Sequence, residues 1–424
     1  MSKCFSLTAS RNWCYRSYFS SSGLRSTITD LGDGTIMHCW VPKTQKESKP
    51  NLLLIHGFGA NAMWQWGEIL RFFIPHFNVY VPDLVFFGDS YTTRPDRSET
   101  FQARCVRRVM EGRSVAKMSV VGLSYGGFVA YRLAEEWGEA VERVVICCAG
   151  VALEEKDLEE GLFRVSDLEV AAEILLPQTA GKMRELMRYT FVKPPMVVPS
   201  CLLMDFIHSS GSGVADCQPD LTQPIGRDSP PRHQWSSSTA PAMDKFRSEY
   251  SAWSPKRAPG KSRIFRAPQE SNLTHDCGKA MPSLLGHHPQ WVMCSEHVEE
   301  KKELIQAIAK DRKLKNLPKI PQPTLIVWGD QDQVFPLELG YRLKRHLGEN
   351  ARLVVIENTG HAFIAEKPKE LYKHLKTFLT DSVPPTSVST SPSDPNHENK
   401  TCLSQSSKPQ LTKSGAEADI RIEY

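Results

Sequence analysis

The feature that most constrains this chain is a G-x-S-x-G motif centred on Ser124. A β-branched run at residues 118–121 precedes the motif, and a helix-compatible run at residues 128–137 follows it. Glycines on both sides let the backbone turn sharply, so the Ser124 hydroxyl is expected to stand exposed above a sheet. The N–H of Tyr125, at the start of the helix, would then point to where an oxyanion forms. The motif therefore predicts a nucleophile on a strand–turn–helix unit.

Size and charge exclude several classes of protein. The 424 residues have room for one large α/β domain with additions, or for two domains. A net charge of +4 over this length is too small to indicate binding to nucleic acid or to an anionic membrane. No apolar run approaches the roughly 20 residues that a transmembrane helix needs. Composition carries no signal for the oligomeric state.

Cysteine usage points to a reducing compartment. The eleven cysteines are odd in number and scattered along the chain, which favours free thiols over a disulfide framework. We therefore expect a cytoplasmic protein.

The first 29 residues form a basic arm. They contain several arginines and many serines, and no acidic residue precedes Asp30. This composition resembles an organellar transit peptide. The preferred interpretation is an ordinary basic helix or arm whose aromatic side chains dock on the body of the protein. These aromatic residues are Trp13, Tyr15, Tyr18 and Phe19.

Strand and helix patterns alternate on both sides of the motif. Strands are predicted at residues 34–41, 51–55, 77–81, 118–121, 141–148, 323–328 and 351–356. Helices are predicted at residues 100–111, 128–137, 337–347 and 368–379. We therefore predict an α/β fold with a mostly parallel sheet and helices on both faces. Its two halves would be residues 30–150 and 318–381.

Residues 151–317 break this alternation and predict a helical cap inserted over the sheet. Helix-like spacing covers residues 154–177 and 181–191 and resumes at 291–311. The stretch between, residues 208–290, is rich in Ser, Pro, Gly and Arg and has no periodicity, which predicts a disordered insertion. One hypothesis is a retained non-coding segment, whose removal would join residues 206–207 to 291–293.

Two further predictions concern composition alone. A disordered tail is predicted at residues 382–424, where Ser, Pro and Lys dominate. Histidines and cysteines in or beside the insertion have neither paired C-x-x-C nor regular His spacing, so no metal site is predicted. These residues are His275, Cys277, His287, His288, Cys294 and His297.

Loops after three other predicted strands carry the remaining candidate residues. The sequence His-Gly-Phe-Gly follows residues 51–55, and we assign the Phe58 N–H as the second oxyanion donor. Asp330 and Asp332 follow the strand at 323–328, and His361 follows the last strand. Because the carboxyl ends of parallel strands meet at one edge of a sheet, these loops are expected to converge.

The residue types fit nucleophilic catalysis. A serine hydroxyl is a poor nucleophile at neutral pH unless a base takes its proton in the transition state. His361 is expected to act as that base and later to protonate the leaving group. A buried carboxylate must orient the imidazole, and both Asp330 and Asp332 lie in a suitable loop. The chain order is serine, acid, histidine.

Four segments resemble those of a known family. HGFG, GLSYGG, WGDQDQVFP and GHAFIAEKP are similar to motifs of the α/β-hydrolase superfamily, in its alpha/beta-hydrolase-1 branch. The likeness covers roughly residues 34–207 and 291–379. It looks closest to plant members that resemble monoacylglycerol lipases or C–C bond hydrolases. In the family's G-x-x-D-x-x-x-P signature the acid lies three residues after the glycine, which implies Asp332 rather than Asp330.

The resemblance also separates chemistries. Related epoxide hydrolases and haloalkane dehalogenases place an aspartate at the elbow, where this chain has Ser124. C–C hydrolases of this branch typically have tryptophan after the catalytic histidine and methionine after the serine, where this chain has Ala362 and Tyr125. The family's D-L-x-G-x-G-x-S loop departs here, because Phe86 replaces its first glycine.

The resemblance thus implies a serine hydrolase that needs no cofactor and cleaves a small or monoacylglycerol-type ester. Three alternatives stay open: a C–C bond hydrolase of the ring-cleavage-product type, a non-catalytic small-molecule receptor on the same fold, and a product that its insertion inactivates. A receptor can keep all three catalytic residue types, as plant hormone sensors do, so their presence alone does not separate the classes.

Overall fold

A mixed β-sheet organises the protein. The computed structural model describes residues 6–59, 61–194, 198–208, 295–310 and 312–380. The strands are β1 Leu24–Asp30, β2 Thr35–Pro42, β3 Asn51–Ile55, β4 Asn78–Pro82, β5 Tyr91–Thr92, β6 Met118–Leu123, β7 Val141–Cys147, β8 Thr324–Gly329 and β9 Ala351–Ile356. Their order across the sheet is β1-β2-β4-β3-β6-β7-β8-β9, with β5 beside β2.

The parallel strands β3, β4 and β6 to β9 form the centre of the core. Every residue of β4, β6 and β8 is buried, which explains their continuous apolar sequences. Parallel pairing aligns Ile55 with Gly122 and Gly329 with Ile356, so the loops after these strands leave the sheet at the same edge. The predicted fold class, a mostly parallel α/β sheet with an inserted helical cap, is confirmed.

Helices connect and flank the strands. Outside the cap they are α1 Leu7–Ser21, α2 Ala62–Trp66, α3 Leu70–Phe73, α4 Glu99–Glu111, α5 Tyr125–Glu136, α11 Leu337–Leu347, α12 Phe363–Glu366 and α13 Pro368–Thr380. Short 3₁₀ turns lie at Gly138–Ala140, Leu314–Asn316 and Gly348–Asn350. Within the described ranges, no helix combines the length and apolar character needed to cross a bilayer.

The cap lies in sequence between β7 and β8. Its helices are α6 Lys156–Glu159, α7 Leu168–Leu175, α8 Ala180–Thr190, α9 Ser200–His208 and α10 Val298–Ala309. The prediction of continuous helix-like structure through residues 154–177 was wrong, because two separate helices, α6 and α7, occupy this stretch. Gly161 has φ +75° just after α6, and the Asp167 side chain caps α7 by accepting hydrogen bonds from two of its N–H groups.

Both ends of the predicted insertion are close in space. The Ser295 hydroxyl donates to the carbonyl of Ile207 at 3.4 Å, although 88 positions separate them in sequence. Beyond His208, which ends α9, the insertion, the join to residues 291–293 and the predicted tail lie outside the described residues.

The N-terminal arm forms a helix, as the preferred interpretation allowed, and also a strand that the sequence analysis did not predict. Helix α1 is followed by β1, which pairs antiparallel with β2 along its whole length. Phe19 is fully buried in the core, and Tyr15 and Tyr18 pack against it. The expectation that Trp13 docks on the body was wrong, because 69% of its surface is exposed.

Candidate active site

The turn that carries Ser124 is held in a strained conformation. Ser124 has φ +52° and ψ −121°, a region that costs non-glycine residues energy. Its N–H donates to the carbonyl of Cys147 at 2.7 Å, and its own carbonyl accepts from Gly127 at 2.8 Å. The loop after β3 must approach closely, since a Cβ on Gly57 would lie 2.8 Å from the Cβ of Ser124. Together these contacts fix the direction of the hydroxyl.

Ser124, His361 and Asp332 form one hydrogen-bonded chain. The Ser124 Oγ lies 2.9 Å from His361 Nε2, and His361 Nδ1 lies 2.8 Å from Asp332 Oδ2. Because an ionised carboxylate only accepts hydrogen bonds, Nδ1 carries the proton and Nε2 is left to accept from the serine. The three residues come from the loops after β6, β8 and β9.

Of the two candidate aspartates, Asp332 is the one that contacts the imidazole. Its side chain is fully buried, and its Oδ1 accepts hydrogen bonds from the N–H groups of Val334 and Phe335, both at 2.9 Å. Asp330 is exposed and instead accepts from the N–H of Thr359 at 3.0 Å. The buried carboxylate is therefore oriented by its own loop, independently of the histidine.

The loop that holds Phe58 is clamped by a glutamine that sequence reasoning missed. Gln65 Oε1 accepts from the Gly57 N–H at 2.9 Å, and Gln65 Nε2 donates to the carbonyls of Gly57 and Phe58 at 3.0 and 2.8 Å. Tyr125 is the first residue of α5, so its N–H has no acceptor within the helix. The roles of the Phe58 and Tyr125 N–H groups as oxyanion donors stay a prediction.

His56 joins this loop to the loop after β4. Its Nε2 accepts from the Leu84 N–H at 2.9 Å, so its Nδ1 carries the proton that bonds the Gly57 carbonyl at 2.7 Å. Burial lowers the pKa of His56, which keeps the ring neutral and preserves this pattern.

Asp83 anchors the same region. Its Oδ1 accepts from the Ala62 N–H and its Oδ2 lies against His38 Nδ1, each at 2.7 Å. Burial acts to raise the pKa of Asp83, but the His38 hydrogen bond and neighbouring charges outweigh it and lower the pKa. Three residues on, Phe86 has φ +75°. The chain therefore keeps a left-handed conformation at the position where the family's loop has glycine.

Cys148 lies beside Asp332 and His361. Its Sγ, a carboxylate oxygen of Asp332 and a ring nitrogen of His361 all lie within 4.8 Å of one another. Burial raises the pKa of this thiol well above its usual value, so it stays protonated. Its position as the last residue of the predicted buried strand at 141–148 was the signal that could have placed it at the site. Of the histidines and cysteines near the insertion, only His297 is described, and its ring packs on Phe86.

The cap is hydrogen-bonded to the loop that carries His361. The Ala362 N–H donates to the Thr190 carbonyl at 2.8 Å. Glu366 bridges the same two segments, since its carboxylate accepts from the N–H of Val192 at 2.9 Å and of Gly360 at 2.8 Å. A displacement of the end of α8 would therefore be transmitted to the histidine.

An apolar cavity of about 320 Å³ opens at Ser124. We call it the Ser124 cavity. Ser124 and His361 reach its floor, and cap residues Met183, Met187 and Phe206 form much of its wall. Such a lining can accept a hydrophobic group next to a reacting carbonyl.

Helix α1 supports one wall of this cavity. Trp64 lines the cavity, and its indole N–H donates to Asn12 Oδ1 at 3.2 Å. The Thr8 N–H donates to Asp205 Oδ2 at 2.8 Å, next to the cavity residue Phe206. The N-terminal arm thus contributes directly to the shape of the site.

Sequence comparison assigns the family. The profile of the Alpha/beta hydrolase family matches residues 52–374. The chain belongs to this family. A monoacylglycerol lipase of Xenopus laevis is 22% identical over 358 residues, which cover 82% of this chain and 80% of that protein. An uncharacterised protein of Mycobacterium tuberculosis is 26% identical over 174 residues. Those residues span 41% of this chain and about half (46%) of that relative's length.

Solved structures share the fold. A membrane phospholipase A superimposes with a TM-score of 0.53 at 21% identity, covering 88% of this chain and 90% of that one. A meta-cleavage product hydrolase from Pseudomonas fluorescens gives a TM-score of 0.50 at 19% identity, covering 85% and 98%. Lipases and C–C hydrolases are thus both neighbours of this hydrolase fold. None of the relatives named here supports the expected likeness to plant members, which stays a prediction.

Proposed function

We propose that the protein is a serine hydrolase that cleaves a carboxylic ester, with Ser124 as nucleophile, His361 as general base and acid, and Asp332 as the group that orients the imidazole. The observation that carries the proposal is the continuous chain from Ser124 Oγ through both ring nitrogens of His361 to Asp332, at 2.9 and 2.8 Å. It lies at the floor of an apolar cavity that can hold the acyl group.

The reaction follows from this arrangement. His361 Nε2 takes the hydroxyl proton as Ser124 attacks the ester carbonyl, and Asp332 stabilises the imidazolium that forms. The N–H groups of Phe58 and Tyr125 bind the oxyanion, and losing one such donor would cost on the order of 3 kcal/mol in the barrier. The imidazolium then protonates the leaving alcohol. Water activated by His361 hydrolyses the acyl-enzyme and releases the acid.

The test compares variants of the two neighbouring aspartates. With p-nitrophenyl butyrate, Asp332→Asn should lower kcat by about 10⁴-fold, because the amide favours the wrong tautomer of His361. Asp330→Asn is the matched control, since Asp330 lies in the same loop without contacting the imidazole, and its kcat should stay within a few fold of the parent. Similar losses in both variants would contradict the role given to Asp332.

A second measurement separates an enzyme from a receptor. A fluorophosphonate probe should label the parent protein at Ser124 and leave Ser124→Ala unlabelled, and butyrate hydrolysis should show a burst that the same substitution abolishes. Folded protein that neither reacts with the probe nor turns over an ester would refute the hydrolase proposal. Stabilisation by a bound ligand with only negligible turnover would favour the receptor.

A further inference from the structure

A second cavity, of about 90 Å³, lies between the cap and the loop that carries Asp332. Its walls come from α7 and α10 of the cap and from Val334 and Phe335 of the loop. All but two of its lining side chains are aliphatic or aromatic. We call it the second cavity.

The two polar residues at its edge satisfy each other. Arg164 Nη1 donates to Gln333 Oε1 at 2.8 Å, which joins the cap to the loop of the acid. A buried water needs two to four polar partners, and this lining offers few. The second cavity is therefore suited to hydrocarbon.

Two leucines are common to both cavities. Leu175 on α7 and Leu186 on α8 line the second cavity and also the Ser124 cavity. Both are only partly buried, because part of each side chain faces open space. A leucine can change rotamer without movement of its backbone. These two side chains therefore separate the cavities, and a ligand in the Ser124 cavity would have to displace them to enter the second cavity.

The size of the second cavity limits what it can take. Protein interiors are close-packed, and atoms that line a void lose dispersion contacts that a hydrophobic ligand would restore. A dry apolar cavity of about 150 Å³ binds benzene. By that measure the second cavity has room for about three or four carbon atoms, which matches the end of a chain rather than a separate large ligand.

We propose that the second cavity holds the terminal methylenes of an unbranched acyl chain whose carbonyl lies at Ser124. This inference rests on the proposed esterase function and narrows its substrate class to long-chain esters. Each methylene that is buried in the transition state raises kcat/KM about fourfold. Three such groups could favour a long chain over a short one by up to about 50-fold.

The experiment fills the second cavity and leaves the Ser124 cavity open. Ala171 lines only the second cavity, and Ala171→Leu adds three carbon atoms there. Ala307→Leu is the matched control, because Ala307 faces a different, polar cleft. The measured quantity is the ratio of kcat/KM for p-nitrophenyl dodecanoate to that for p-nitrophenyl butyrate. We expect Ala171→Leu to lower this ratio at least tenfold and Ala307→Leu to leave it within twofold of the parent.

A second variant should change the preferred chain length in the opposite direction, which misfolding would not do. Leu168→Ala enlarges the second cavity and should shift the optimum towards longer esters by two or more carbons. A ratio unchanged by Ala171→Leu, together with an optimum unchanged by Leu168→Ala, would overturn the inference while leaving the esterase proposal standing.

A binding measurement keeps the two proposals distinguishable. In a Ser124→Ala background, dodecanoic acid should bind at least tenfold more weakly to Ala171→Leu than to Ala307→Leu in titration calorimetry. Equal affinities would contradict the role of the second cavity even if no ester were hydrolysed. If the parent does not hydrolyse p-nitrophenyl butyrate but the two variants still differ in their affinity for dodecanoic acid, the esterase function is contradicted instead.

Discussion

Phe86 occupies a backbone conformation that favours glycine, and its packing explains why it is tolerated. A left-handed conformation costs a residue with a Cβ roughly 1–2 kcal/mol. The Phe86 ring is 2% exposed, and the Arg97 guanidinium lies 4.7 Å from its centroid. Full burial of a phenylalanine is worth about 1.5–3 kcal/mol, so the gain from packing offsets the strain.

A pair of substitutions separates strain from packing. Phe86→Ala and Phe86→Gly remove the same ring, but only alanine keeps a Cβ at φ +75°. We expect both variants to be less stable than the parent, with Phe86→Gly about 1 kcal/mol more stable than Phe86→Ala. The measurement is the free energy of unfolding in urea. An alanine variant more stable than the glycine variant by about 0.4–1 kcal/mol, the entropic cost of glycine, would show that the conformation costs nothing.

The sequence pointed to the three residues proposed to react but not to the groups that hold them. Ser124 lies in a local motif, and its neighbours alone predicted a strand, a turn and a helix. The choice of Asp332 over Asp330 needed family resemblance, because both occupy the same loop. Gln65 and Glu366 act through contacts with the backbone of other segments, which no spacing in the sequence indicates.

At the scale of secondary structure elements, the cap and the loop of His361 behave as one assembly. Glu366 accepts hydrogen bonds from one N–H of each segment, which a single carboxylate can do because both of its oxygens are acceptors. Hydrogen bonds to a charged group are worth about 1.5–3 kcal/mol each. The position of His361 therefore depends on the position of the cap.

Substitution of Glu366 tests this dependence. Glu366→Gln retains one acceptor oxygen but turns an NH₂ group towards one of the two N–H donors. We expect kcat for p-nitrophenyl butyrate to fall about tenfold, because His361 loses its fixed position relative to Ser124. Glu370→Gln, an exposed glutamate on α13, is the control and should match the parent. A fall in thermal stability without any change in kcat would assign Glu366 a purely structural role.

Seven of the nine described strands were predictable from the sequence, including the edge strand β9, and β1 and β5 were not. Buried parallel strands show continuous apolar runs, whereas β1 has one buried residue, Leu24, and carries Arg25, Ser26 and Thr27 at exposed or half-buried positions. Strand β5 has only two residues, too few to show any period. The break between α6 and α7 depends on Gly161 and Asp167, single residues within an otherwise helical pattern.

At the scale of the whole molecule, the contact between Ile207 and Ser295 bears on the long insertion predicted between them. Two chain positions that touch can be joined by a short linker without displacing the elements on either side. The entropy of closing a loop changes slowly with its length, so a long connection and a short one differ by only a few kcal/mol.

Deletion of residues 209–294 is therefore expected to be tolerated. With four Gly and Ser residues in their place, the protein should keep its circular dichroism spectrum and hydrolyse p-nitrophenyl butyrate within threefold of the parent rate. A longer deletion, from residue 200, is the control, because it also removes α9 and the cavity residue Phe206. That control should lose activity. Failure of the shorter deletion to fold would refute the hypothesis that the segment is dispensable.

The bonds between the cap and the loop of His361 use only main-chain atoms on the cap side, the carbonyl of Thr190 and the N–H of Val192. Main-chain groups survive every side-chain replacement, except that proline at position 192 would remove the donor. Other replacements of these two side chains therefore leave the hydrogen-bonding groups in place. During evolution, substitutions at these positions could change which substrates the Ser124 cavity binds without moving His361.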